Sequence, residues 1–171
     1  MNFRLFYILL VVTTFFLACS REIPADPSCR INPEFSVSVP APAGCLIKLD
    51  GKLVALQTDH KDLWLLPQQR IQNDLSAQCT AHQAAWKNTG LNVEVNQLLY
   101  VDDENTHYYS CTLTDRFSQD LQTLDVPPWA NRNVTKVGLV DLFAIEGNKW
   151  AASHKLIEIR QAFTKIEANV Q

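Results

Sequence analysis

The sequence predicts an α/β fold in which a helix with a small-residue face lies close against a β-sheet. Three observations predict it. Nothing between Ser76 and Asn88 breaks a helix, and Ala77, Ala81 and Ala85 recur at i, i+4 and i+8 on one face. Ala43 to Thr58 reads as two β-rich runs about Asp50-Gly51, a strong hairpin turn signal. Further β-rich runs follow the helix, and an apolar-faced helix closes the chain. At 171 residues, 47% hydrophobic and 19% charged, the chain is long and apolar enough for one domain with a core. A formal net charge of −3 with no basic block argues against a nucleic-acid partner.

The start of the chain reads as an address. Met1 to Arg4 carries one positive charge, and Leu5 to Ala18 is apolar apart from Thr13 and Thr14. That run is shorter than the roughly 20 apolar residues of a spanning helix and suits a secretory signal. Phe16-Leu17-Ala18-Cys19 resembles a bacterial lipobox, which would make Cys19 an acylated N-terminus. Ser20 after it resembles lipoproteins sorted to the outer membrane, facing the periplasm. Plain cleavage after Ala18, leaving a soluble periplasmic protein, is the other reading. The expected organisation is residues 1–18 signal peptide, 19–39 anchor cysteine and Pro-rich tether, and 40–169 a single domain. Phe35 to Val39 alternates apolar and polar, as an edge strand does.

Cys29, Cys45, Cys79 and Cys111 remain as disulfide candidates in an exported chain. Sequence leaves all three pairings open. A zinc site is disfavoured, because there is no C-x2-C and no histidine at ligand spacing.

In order, Asp59 to Asp62 reads as polar loop, and Trp64 and Leu66 as a short strand. Asp74 or Ser76 can cap the helix, and Gly90 suits its left-handed stop. Leu91 to Tyr100, Thr106 to Leu113 and Val134 to Leu142 read as strands. Val126 to Trp129 is a rigid loop. Ser153 can cap a final helix whose apolar face is Leu156, Ile159, Phe163 and Ile166.

The stretch from Trp64 to Leu91 resembles the Nudix box, G-x5-E-x7-R-E-U-x-E-E-x-G-U with U apolar. The likeness is in the frame: Trp64 to Pro67 before it, Ser76 at the helix start, Ala81 and Ala85 within, and Thr89-Gly90-Leu91 at the close. It implies an α/β/α sandwich with a mixed β-sheet between helices, over roughly Pro40 to Glu167. Aligned on Gly90, the first Gly becomes Gln69 and the first Glu becomes Leu75. The Arg becomes Gln83, the Glu beside it Ala84, and the final Glu pair Lys87 and Asn88. Asn133 stands where the family has a Glu before an apolar strand. Nudix enzymes hold Mg²⁺ or Mn²⁺ through those glutamates, and hard cations need oxygen ligands. The resemblance thus implies the fold with the metal chemistry removed, and no cofactor is expected.

The chemistry-bearing residues left over are few. Asp74, Asp102 and Glu104 are the acids that could supply displaced metal ligands; then Mg²⁺ or Mn²⁺ and cleavage of a nucleoside diphosphate-linked substrate would follow. The bland reading of Asp102-Asp103-Glu104 is a solvated turn. His82 reads as an exposed helix residue, and Trp86 as packing. Trp129 could stack on a flat ligand or plug its loop. The expectation is a non-catalytic Nudix-type domain, a pseudoenzyme of the cell envelope. It would bind a nucleotide-like small molecule or an envelope protein and meet the membrane through its lipid anchor.

Overall fold

A computed structural model describes residues 24–37, 39–59, 61–71, 75–113, 123–131 and 133–166. The expected signal peptide, Cys19 and Asp74 lie outside the described residues. The strands are β1 (Ala43–Leu49), β2 (Lys52–Thr58), β3 (Lys61–Leu65), β4 (Gln68–Gln69), β5 (Val93–Val101), β6 (His107–Leu113), β7 (Thr123–Leu124) and β8 (Val134–Val140). The α-helices are α1 (Ala77–Thr89) and α2 (Leu156–Thr164). The sheet runs β5-β6-β1-β2-β8-β7, with β3 added on β2 and β4 on β1. Only the β1–β6 pairing is parallel among these ladders, so the sheet is mixed.

Both faces of the sheet are covered, which is why β1 and β2 read as near-continuous apolar runs. Ala43, Cys45 and Ile47 of β1 and Val54 and Leu56 of β2 pack with Ala77, Ala81 and Ala85 of α1. Leu46, Leu53 and Ala55 pack on the other face with Leu156, Ile159, Phe163 and Ile166. The period-2 alternation of strand side chains separates the two cores. The α/β/α sandwich is therefore present. The alanines let α1 sit close, because each is at most 1% exposed and none holds the helix away from the strands.

Local chemistry sets the turns. Asp50 and Gly51 have φ of 50° and 71°, the paired positive values of a type I′ hairpin turn. Ser76 caps α1 by accepting from the Cys79 N–H at 3.2 Å. Gly90 stops α1 with φ 75°, and its N–H donates to Trp86 O at 2.9 Å.

Three local readings are corrected. The described residues of Phe35 to Val39 belong to no strand; Pro33–Phe35 is a single 3-10 turn capped by Asn32, because Pro at its first position presets the turn. Ser153 opens a 3-10 turn, Ser153–Lys155, and no side chain caps α2, which continues directly from that turn. Lys61 and Asp62 belong to β3 rather than to a loop, since β2 offers them an antiparallel partner at Thr58.

Among the described residues, the Pro-rich segment is held against the domain at several points. Asn32 N–H donates to Val95 O at 2.9 Å, and Val95 N–H to Arg30 O at 3.0 Å, on the outer side of β5. The fully buried Gln78 carboxamide takes the Val37 N–H at 2.9 Å and donates to Phe35 O at 2.7 Å. Cys29 is bonded to Cys79 on α1, and Cys45 to Cys111 between β1 and β6.

The two disulfides differ in access. Cys45 and Cys111 are at most 1% exposed, whereas Cys29 is on the surface. Mild reductant is expected to open Cys29–Cys79 first, read by alkylation and mass spectrometry. Replacing both its cysteines with serine should cost about 2–4 kcal/mol in urea unfolding, since the bond closes a long loop. Simultaneous reduction of both bonds would contradict this.

Candidate functional site

A cleft of about 270 Å³ opens where β1 and β2 part. The two strands pair only at Lys48↔Leu53 and Leu49↔Lys52, beside their turn. Beyond that, β2 pairs with β3 and β1 with β4, so the β3–β4 segment wedges between them. Cys45 N–H donates to Pro67 O at 3.0 Å across this junction. Gly44 permits the approach: a Cβ there would lie 3.0 Å from both Pro67 O and Gln68 Cβ. The floor of the cleft is Leu56, Leu65, Leu66 and Val134. Its polar wall is Thr58, Gln68, Asn88, Asn131 and Asn133.

Asn88 organises the wall. Its Nδ2 donates to Ala84 O, one turn back, at 2.8 Å. A carbonyl only accepts, so this bond fixes which end of the amide is which. Asn88 Oδ1 then accepts from Asn131 Nδ2 at 2.7 Å, and Asn131 Oδ1 has no hydrogen-bond partner among the described residues. Gln68 Oε1 accepts from the Tyr108 hydroxyl, leaving Gln68 Nε2 as a donor. Burial keeps the Tyr108 hydroxyl protonated by raising its pKa, and Asp102 adds to this. Tyr108 is itself steadied by a face-to-face stack with Tyr100, 4.6 Å between ring centres.

The box positions separate around α1. Ala84 is fully buried and offers only a methyl group. Gln83 and Lys87 lie on the outward stripe with Cys79, at i+4 and i+8 from it. There Asp26 of the Pro-rich segment meets both, 3.4 Å from Gln83 Nε2 and 3.6 Å from Lys87 Nζ. Gln69 Nε2 donates to Gln83 Oε1 at 2.7 Å. Leu75 precedes the helix and is partly buried. A divalent cation of the kind the fold's enzymes use does not fit this donor set. Ala84 has no oxygen, Lys87 is a cation, and both ends of the Asn88 amide are engaged. Among the described residues, no three His, Cys, Asp or Glu side chains come together to hold a metal ion.

The other candidates lie apart from the cleft lining. Asp102 and Glu104, with Asp103, surround Lys155 at 2.9, 3.5 and 3.0 Å. Asp102 is 4% exposed, and it also accepts from the Glu104 and Thr106 N–H groups at 2.9 and 2.8 Å. Burial alone would raise its pKa; Lys155 and these N–H groups outweigh it and hold the carboxyl below its usual range. The turn is thus an anchored structural corner joining β5 and β6 to the start of α2, rather than solvated throughout. Trp129 stacks on Trp86 with ring centres 5.0 Å apart and presses on Gly90, so it covers the end of α1.

His82 departs from the exposed position expected for it. It is 2% exposed and hydrogen-bonds Asn92 at 3.1 Å. Burial lowers its pKa against the supporting effect of Asn92, and Arg30 lowers it further. Two cleft-lining residues that sequence reading did not single out are Thr58 and Asn131; uncharged side chains leave no charge pattern, and only the nearby Asn133 hints at Asn131.

No family model and no curated protein matches the chain. Solved structures do. A Streptococcus suis ADP-ribose pyrophosphatase matches with a TM-score of 0.61 at 15% identity, over 77% of this chain and 95% of that one. A Nudix hydrolase from Nitrosomonas europaea gives 0.55 at 18%, over 86% and 90%. A MutT protein from Methanosarcina mazei gives 0.52 at 12%, over 82% and 99%.

Two expectations follow. Replacing Lys155 with Met strands a buried carboxylate and should cost roughly 3 kcal/mol near neutral pH in denaturant unfolding. Asp102 contributes stability above its ordinary pKa of 3.8 that is lost as pH falls through its lower folded value, so the penalty should vanish in acid. For His82 the unfolded chain takes up a proton near the ordinary value of 6.5 while the folded chain resists it. Stability should therefore fall as pH drops through that value towards the folded pKa, and His82→Gln should remove this slope; an unchanged slope would assign it elsewhere.

At these identities the likeness speaks for architecture, and the chain has the α/β/α fold of the Nudix hydrolases.

Proposed function

We propose that this is an exported, lipid-anchored domain that uses the Nudix cleft to bind and has given up its hydrolytic chemistry. One observation carries the reading. At the three box positions from which metal ligands would come stand a buried methyl, a cation paired to Asp26, and an amide already bonded at both ends. Metal-assisted hydrolysis needs charged oxygen donors converging on one point. Asp102 and Glu104 do not supply them, since both are drawn to Lys155.

Export is supported by the apolar start followed by Phe16-Leu17-Ala18-Cys19, and by two disulfides, which persist in oxidising compartments. With Cys19 acylated, Asp26 and Cys29 would follow the anchor closely, so the outward stripe of α1 would lie near the membrane. The partner is a small molecule or an envelope protein reaching the cleft.

The test is a pyrophosphohydrolase assay of the purified protein on nucleoside diphosphate-linked substrates, with Mg²⁺ and Mn²⁺. Wild type is expected to be silent. Metal-dependent turnover by wild type would sink the proposal. A variant with Ala84→Glu, Lys87→Glu, Asn88→Glu and Asp26→Asn, checked for folding by circular dichroism, shows whether carboxylates restore it.

A further inference from the structure

We infer that the cleft takes an uncharged, amide-bearing small molecule and discriminates against phosphates. The inference rests on the non-catalytic reading above and adds the chemical class of the ligand. It begins with the hydrogen-bonding groups left over. The relay from Ala84 O through Asn88 to Asn131 orients Asn131 so that its Oδ1 has no partner among the described residues. The bond from Tyr108 to Gln68 Oε1 leaves Gln68 Nε2 as a donor with no partner among the described residues. The Asn133 carboxamide, on the exposed turn entering β8, offers both a donor and an acceptor. The wall therefore offers both donors and acceptors beside an apolar floor of leucines and valine.

That mixture complements a group that itself carries an N–H beside a C=O. An amide edge satisfies both kinds of partner at once, whereas a phosphate only accepts. Each unmatched acceptor on the wall would then face the phosphate oxygens with no proton between them. Among the described residues, none lining the cleft is charged. Lys87, which precedes the wall residue Asn88, is on the outer stripe against Asp26. A diphosphate entering the cleft would lose water without gaining a counter-charge from the described lining residues, and burying an unpaired charge is costly.

Size narrows the class. At about 270 Å³ the cleft falls just below the roughly 300–1,000 Å³ of sites for drug-sized ligands. One ring with its substituents suits it better than a dinucleotide. A nucleobase and an acetamido sugar share the required chemistry, an uncharged ring bearing an amide.

The experiment titrates the purified, isotope-labelled protein with uracil, with N-acetylglucosamine and with uridine diphosphate. Side-chain amide resonances of Gln68, Asn131 and Asn133 are followed by NMR. Saturable shifts with uracil or N-acetylglucosamine are expected, and the arm that responds identifies the source of the amide. Uridine diphosphate should bind no more tightly than uracil. Asn133→Leu, whose side chain is at the surface, should weaken the responding probe about tenfold without altering the fold, as loss of one matched polar contact does. Tighter binding of uridine diphosphate than of uracil, or no perturbation by either neutral probe, overturns the inference. Turnover in the hydrolase assay instead overturns the non-catalytic reading beneath it, so the two failures are separable.

Discussion

β1 and β2 stay paired for two residue pairs and then diverge, and the rest of the molecule is arranged around that divergence. The turn at Asp50-Gly51 forces the strands together at one end. At the other, β1 is committed to β6 through a five-pair parallel ladder and the Cys45–Cys111 bond. β2 is committed to β8 over Leu53 to Thr58. Backbone groups exposed by the separation need partners, and β3 and β4 provide them. Because that wedge is short, the mouth between the two half-sheets is not filled, and side chains from β2, β3, β4 and the segment before β8 face one another across it. The cleft is thus a property of strand pairing before it is a property of any side chain.

α1 lies along one side of this mouth and sorts its residues by angle. Ala77, Ala81 and Ala85 meet the sheet, Asn88 meets the cleft, and Cys79, Gln83 and Lys87 meet the Pro-rich segment. The residues on this helix are coherent with these surroundings. A glutamate at 87 would oppose Asp26, which the Cys29–Cys79 bond helps hold nearby; a lysine pairs with it. Asn88 closes a hydrogen-bond relay that a carboxylate could not, because a carboxylate has no proton for Ala84 O. The segment before the domain therefore belongs to the structure of the box helix.

Much of this was legible in the residues themselves. The alanine stripe, the Asp50-Gly51 turn, the Gly90 stop and the apolar face of α2 each state a local rule, and each is found where the rule puts it. The misses have a common origin. His82 reads as exposed because helical periodicity does not see Asn92, which returns beside it only after the chain has turned at Gly90. Phe35 to Val39 has the alternation of a strand, but the Gln78 side chain takes Phe35 O and the Val37 N–H instead. Asp102 looks like a solvated turn residue until Lys155, 53 positions later, is placed against it.

The amino-acid sequence by itself determined the class of fold, the position of α1, and which box residues are carboxylates and which are not. These follow from short-range periodicity, turn chemistry and side-chain identity, all of which are local. Tertiary structure decided the cysteine pairing, the separation of Lys87 from Asn88 onto different surfaces, and the orientation of the amides lining the cleft. Those depend on contacts between segments tens of residues apart. An amide has no preferred end until a fixed carbonyl such as Ala84 O lies beside it.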